Sequence, residues 1–312
     1  MLDGDYMKLS IICPCFNEED AIMLFYDELI KNIADLNYEL IFIDDGSTDN
    51  TLPTIKNLSG NNENVKFISF SRNFGKESAL YAGLELSSGD YMGLIDVDLQ
   101  DPPHFIPKML EIIETGDYDV VATRRVSRKG EPIFRSFFAR FFYRFFNRIS
   151  NIELVDGARD YRLMTRQVVD SILQLKEYNR FSKGLFNWVG FRTKWLEYEN
   201  VNRISGETSW SFWGLFKYSI EGIVGFTTIP LQISTFLGII LSFFAFLAIV
   251  FIVIRKLLFS DPVAGWTSTI CIILLLGGIQ LFSIGILGKY LEKTYLETKK
   301  RPIYIIKETN VD

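Results

Sequence analysis

Residues 91–103, YMGLIDVDLQDPP, run apolar and then place three aspartates, Asp96, Asp98 and Asp101, within six positions before two prolines interrupt the chain. A run of this kind fits a strand covered on both faces that ends at the rim of its sheet. Asp96 and Asp98 stand two apart, so on a regular strand they share a face, and the turn that LQDPP forces lets both carboxylates meet at the sheet's mouth. With Gln100 they supply only oxygen, the ligand set of a hard divalent ion such as magnesium or manganese. A solvated strand end, with Asp101 capping a helix that begins near Pro102, is the simpler alternative.

Four further apolar, β-rich runs accompany this one: KLSIICP from Lys8, YELIFIDD from Tyr38, VKFISFS from Val65 and DYDVVATR from Asp117. Helical patterns separate them, starting near Asp20, after Ser47, after Gly75 and after Pro103. The alternation predicts an α/β fold with a parallel sheet flanked by helices. In open sheets of this class ligands bind beyond the carboxyl ends of the strands. The polar clusters fall there: CFNEED from Cys15, DDGSTD from Asp44, RNFGKE from Arg72 and DVDLQD from Asp96. Asp44 and Asp45 precede Gly46, which suits a tight turn, and one of them can accept hydrogen bonds from a ribose or a base. Capping explains both acids equally well, and Asn17 and Glu18 offer the same choice. The glycine-rich dinucleotide fingerprint and the P-loop pattern are both missing, so those phosphate cradles are excluded.

The chain has 312 residues and a net charge of −5, yet from Arg124 to Arg148 eight Lys or Arg face one acid, Glu131. Arg140, Arg144 and Arg148 step by four, with Phe134, Phe138, Phe141 and Phe145 around them, so residues 132–149 read as an amphipathic helix in a bilayer interface. A core helix with snorkelling arginines is the alternative. No charge occurs from Gly222 to Ile254 or from Pro262 to Gly288. Each stretch supplies the roughly 20 residues that cross about 30 Å of hydrocarbon. The expected layout is a cytoplasmic catalytic domain over 1–210, a juxtamembrane amphipathic segment over 211–228, a transmembrane hairpin over 229–288 (helices near 229–254 and 264–288) and a cytoplasmic tail over 289–312. Gly277, Gly278, Gly285 and Gly288 permit close helix packing, and with it homo-oligomerisation through the hairpin. Three cysteines form no credible framework, which fits a reducing compartment. The acidic start MLDGDYMK lacks a secretory pattern. With His104 as the one histidine, acid, base and ligand chemistry rests mainly on carboxylates.

Taken in order, CPCFNEED, IDDGSTDNT, SRNFGKESAL, GDYMGLIDVDLQDPP, DGARDYRLMTR and RISGETSW, followed by two apolar spans, resemble glycosyltransferase family 2. Specifically, they resemble its membrane-anchored polyisoprenyl-phosphate branch, which includes dolichyl-phosphate mannose synthase. The resemblance implies a GT-A, Rossmann-like, mostly parallel sheet with flanking helices. It implies inverting transfer of a sugar from a nucleotide sugar to a lipid phosphate, with Mg2+ or Mn2+ as cofactor. Carried over by position, Pro14, Asn17, Glu18, Asp44 and Asp45 line the nucleoside pocket, and Arg72, Lys76 and Asp96 lie on the donor. Asp96, Asp98 and Gln100 hold the metal, Asp98 and Asp160 are the catalytic carboxylates, and Arg124, Arg125 and Arg203 face the acceptor phosphate.

A phosphate monoester has a second pKa of about 6 and is mostly dianionic near neutral pH, so it needs little deprotonation. Asp160 is therefore expected mainly to position an arginine, Arg162 being nearest in sequence, with a base role or a turn cap as alternatives. UDP-glucose and UDP-N-acetylglucosamine are the expected donors and undecaprenyl phosphate the expected acceptor, serving cell-envelope glycosylation, with no nucleic-acid partner. A processive polysaccharide synthase should carry a Q-x-x-R-W motif and further crossings, and neither is found. A catalytically silent scaffold that retains nucleotide-sugar binding is the other alternative.

Overall fold

The computed structural model describes residues 7–126, 142–150, 152–199, 212–258 and 265–311. Eight strands form one sheet: β1 (Leu9–Cys15), β2 (Tyr38–Asp44), β3 (Val65–Phe70), β4 (Tyr91–Leu94), β5 (Val120–Arg125), β6 (Ala158–Thr165), β7 (Thr193–Tyr198) and β8 (Ile306–Thr309), in the order β7-β5-β6-β4-β1-β2-β3-β8. The helices α1 (Glu19–Ile33), α2 (Thr51–Asn61), α3 (Lys76–Leu86) and α4 (Phe105–Glu114) join the early strands. Later come α5 (142–149), α6 (Arg166–Leu173), α7 (Ser182–Trp188), α8 (Phe212–Phe226), α9 (Ile229–Leu258) and α10 (Trp266–Thr298). The expected parallel α/β core is present, but β6 runs antiparallel between β4 and β5, and β8 antiparallel to β3.

Alternation along β1 and β2 builds the two layers. Leu9, Ile11, Cys13, Leu40 and Phe42 pack with α1 and α4 on one face, whereas Ile12, Ile41 and Ile43 pack with α3 and α6 on the other. Burial on both faces is why these strands read as unbroken apolar runs. From β1 the chain winds outward through β2 and β3, then returns to place β4 on the other side of β1. The crevice between the carboxyl ends of β1 and β4 is thus a topological switch point, where sheets of this class bind ligands.

At the opposite end of β2, Glu39 is a buried acid that accepts from Lys8 Nζ at 2.8 Å, Ser10 Oγ at 2.5 Å and Ser88 N at 2.7 Å. Burial pushes its carboxyl up, but these donors more than reverse the effect and hold it below its ordinary value. A lowered carboxyl stabilises the fold above its unfolded pKa of about 4.3, and that contribution fades as pH falls through the folded value. Glu39→Gln is expected to cost about 2 kcal/mol at neutral pH. In a pH series of thermal melts, the gap to wild type should shrink below about pH 4. An equal gap at pH 3 and 7 would show that the charge is not the source.

The tail after α10 folds back as the edge strand β8, a role absent from the sequence reading. Tyr304 stacks on Phe70 at 5.1 Å and donates to Glu85 at 2.6 Å, and Lys56 pairs with Glu308 at 2.6 Å. This covers an otherwise open sheet edge. Within α9, Ile229–Ala248 is long and apolar enough to cross a membrane. Most of the expected interfacial helix lies outside the described residues. In its described turns Phe145 is exposed, but Phe146 is fully buried in a small core with Leu154 and Phe181, so this helix also serves packing.

Candidate active site

The loops after β1 and β2 are laced together by their own side chains. Asn17, at a positive φ of 54°, accepts from Thr48 N at 2.9 Å, while its own N–H donates to Ser47 Oγ at 3.0 Å. Glu18 N donates to Thr51 Oγ1 at 2.8 Å. Asp44 accepts from Ser47 N at 3.1 Å and Ser69 Oγ at 2.9 Å. Asp45 accepts from Phe74 N at 2.6 Å and Gly75 N at 2.9 Å, clamping the loop after β3. Both acids are nearly inaccessible, so each works first as a scaffold for these turns. Burial raises the Asp45 carboxyl, and Asp44 adds to the rise. Gly46 adopts a φ of +71°, and a Cβ there would lie 2.5 Å from the Arg72 carbonyl carbon, so this crossing of loops requires glycine.

At the end of the third loop, Lys76 begins α3 with its ammonium between two carboxylates. Its Nζ lies 2.7 and 2.8 Å from the oxygens of Asp96 and 2.8 Å from Asp160 Oδ2. Residues 20 and 84 positions apart in sequence meet there because α3 starts beyond β3 and the start of antiparallel β6 lies beside the end of β4. Burial works against the charge on Lys76, yet Asp160 and Asp96 outweigh it and raise its pKa. For Asp160, burial pushes the carboxyl up, but Lys76, Lys183 and Arg162 hold it far below the carboxylate range. The expectation that Asp160 orients Arg162 is corrected: its side chain holds Lys76. Arg162 instead donates to the backbone carbonyls of Asp160 at 3.2 Å and Arg159 at 2.9 Å, and stacks on Phe186 at 3.8 Å. Burial lowers Arg162 to about 10.

Asp98 follows β4 in a turn that Leu99 makes at a positive φ of 54°, and it accepts from Gln100 N at 3.1 Å. Burial raises its carboxyl, and the like charge of Asp96 raises it further. Two crowded carboxyls of this kind suit a divalent cation, which would offset both the burial and the like-charge repulsion. Among the described residues no third His, Cys, Asp or Glu completes a cation cage. That fits magnesium-type sites, where one or two carboxylates suffice and phosphate oxygens and water fill the remaining positions. Gln100, expected on the metal, instead accepts from Arg125 at 2.8 Å.

Asp101 does not cap a helix near Pro102, since α4 starts at Phe105. It is fully buried, accepting from Arg159 Nε at 3.0 Å and from the Tyr198 hydroxyl, and so fastens the acidic turn to β6 and β7. The sequence reading missed this lock, although Arg159 directly precedes Asp160. Arg124 is paired with Glu197 on β7, its Nε at 3.0 Å. Pro14 is half-buried near the end of β1, Arg72 lies over the Phe74 ring at 3.9 Å, and Arg203 lies outside the described residues.

The sheet is mostly parallel, of the GT-A type, with this acidic rim at its switch point. The glycosyl transferase family 2 profile matches residues 10–173. This chain belongs to glycosyltransferase family 2. It is 42% identical to the prophage bactoprenol glucosyl transferase homolog of Escherichia coli K12, over 96% of this chain and 99% of that protein. It is 41% identical to the bactoprenol glucosyl transferase of Shigella phage SfX, again over 96% and 99%. Among solved structures, glucosyl-3-phosphoglycerate synthase of Mycobacterium tuberculosis aligns with a TM-score of 0.47 at 20% identity, over 70% of this chain and 78% of that one.

Proposed function

We propose that this glycosyltransferase moves a hexose, glucose foremost and N-acetylglucosamine second, from its UDP derivative to a polyisoprenyl phosphate, with inversion, at the cytoplasmic face of a membrane. The observation that carries the proposal is the Asp96–Lys76–Asp160 bridge at the switch point beside Asp98. The names of relatives more than 40% identical over nearly their whole length favour bactoprenol phosphate as acceptor and glucose as the sugar.

In this reading Asn17, Glu18, Asp44 and Asp45 shape the nucleoside end of the crevice, and Lys76 and Arg72 meet the diphosphate. Asp96 and Asp98 would hold magnesium or manganese, which when bound neutralises charge on the departing nucleoside diphosphate. The difficulty of the reaction is bringing two anions together, because the acceptor is already dianionic above about pH 6. Lys76, kept protonated by its two carboxylates, and Arg125, held beside Gln100, answer that difficulty with fixed positive charge. Helices α9 and α10 serve as the membrane anchor in a crossing hairpin that returns the chain to the sheet edge at β8. Packing of such hairpins through the glycines of α10 would give a homo-oligomer.

The test is to incubate membranes carrying the chain with a panel of UDP-sugars and to weigh the lipid products. Polyisoprenyl-phosphate hexose formed from one donor, and lost on Asp98→Ala, is the expected result. Nucleotide binding with no lipid product from any donor would favour a silent scaffold.

A further inference from the structure

We infer that Tyr304 and Ile305, in the tail after α10, are positioning residues for Arg72, so that the chain leaving the apolar helices sets the geometry of the loop after β3. The inference rests on the proposed contact of Arg72 with the nucleotide diphosphate and names what holds that arginine in place.

The tail is fastened at both ends. Glu297, in the last turn of α10, accepts from Tyr178 N at 2.9 Å, and Lys300, at a positive φ of 48°, turns the chain off the helix ahead of Pro302. At the far end Asn310 accepts from Phe67 N at 2.7 Å and donates to Ser59 Oγ at 2.7 Å. Between these points β8 pairs with β3, and the register shifts between Ser69 and Phe70, where the strand gives way to the loop. Covering the sheet edge needs no more than this pairing. The contacts go further. Ser71 N, one residue before Arg72, donates to Ile305 O at 3.0 Å. Tyr304 stacks on Phe70, Phe70 meets Phe74 edge-on at 5.7 Å, and the Phe74 ring carries the Arg72 guanidinium at 3.9 Å. A row of rings thus runs from the tail to the arginine.

Arg72 depends on this support more than Lys76 does. Lys76 is fixed by Asp96 and Asp160, which lie outside its loop. Arg72 is exposed, and its hydrogen bond to Asn73 O at 2.7 Å and its ring contact with Phe74 both stay within the loop. Its place is therefore the loop's place, which Asp45 holds on one side and the tail on the other. A guanidinium placed in advance binds a diphosphate with less loss of freedom.

The experiment titrates UDP with Mn2+ into the full chain in detergent micelles and follows sugar transfer in parallel. Tyr304→Leu keeps apolar bulk but loses the stacking ring. It should weaken UDP affinity and raise the donor KM ~5-fold, with kcat within about twofold of wild type. Tyr304→Phe should keep wild-type affinity. Asn310→Ala, which loosens the far end of the tail, should lower the melting temperature and leave UDP affinity unchanged. Arg72→Ala should weaken UDP by itself, and adding Tyr304→Leu to it should weaken UDP no further. Additive losses in that pair, or UDP affinity that tracks melting temperature across Tyr304→Leu and Asn310→Ala, would reduce the tail to edge cover and overturn the inference. Coupled losses of UDP affinity support it even if no lipid product forms, in which case the proposed function fails separately. Wild-type UDP affinity in Tyr304→Leu, with sugar still transferred, overturns the inference and leaves the function standing.

Discussion

Asp160→Asn is expected to lower kcat by about 10²–10³, the scale of losing one preorganised charge beside a reacting centre, and to do so evenly between about pH 6 and 9. The reason is the bridge it forms with Lys76 at 2.8 Å, which burial opposes but which Lys76, Lys183 and Arg162 secure. A carboxyl held that low is ionised throughout the working range and is a weak base. Its contribution is to keep Lys76 in place and charged. The pH–rate profile separates the two roles. Activity of the asparagine variant that climbs back as pH rises through about 6, where the acceptor loses its last proton, would identify Asp160 as the proton acceptor and refute the positioning role.

Lys76→Met should have the second large effect, and its signature is opposed changes in two measurements. Removing the ammonium leaves Asp96 and Asp160 without their shared counter-ion, at a cost that a free divalent cation can offset. The variant is expected to bind Mn2+ about tenfold more tightly than wild type in the absence of nucleotide, read from the electron paramagnetic resonance signal of the free ion. Its turnover should fall about 10²-fold or more, because the diphosphate loses a fixed positive contact. Weaker manganese binding in Lys76→Met would show that the lysine does not compete with a cation for these acids.

The winding of the chain was legible wherever strands are covered on both faces. KLSIICP and YELIFIDD announced β1 and β2 because both of their faces are core. The acidic clusters marked the sheet rim because strand ends face solvent, where carboxylates are affordable. The antiparallel insertion of β6 was not legible, since RDYRLMT mixes charge with apolar residues and its burial comes from β4 and β5 on either side. Nor was β8, whose residues are largely exposed and are held by register with β3 and by Tyr304 on Phe70. At the site, sequence spacing could bring Asp96 to Asp98 but could not bring Lys76 to Asp160. That contact follows from a strand order in which β6 lies beside β4 and β4 beside β1.

The most direct test of the central claim is a structure of the full chain in a lipid bilayer mimic with Mn2+ and UDP. The account predicts the cation within about 2.2 Å of carboxylate oxygens of Asp96 or Asp98, the diphosphate between the cation and Lys76, and uridine in the crevice beside Asn17 and Asp45. UDP and manganese bound away from the carboxyl ends of β1 and β4, with the Asp96–Lys76–Asp160 bridge undisturbed, would contradict it.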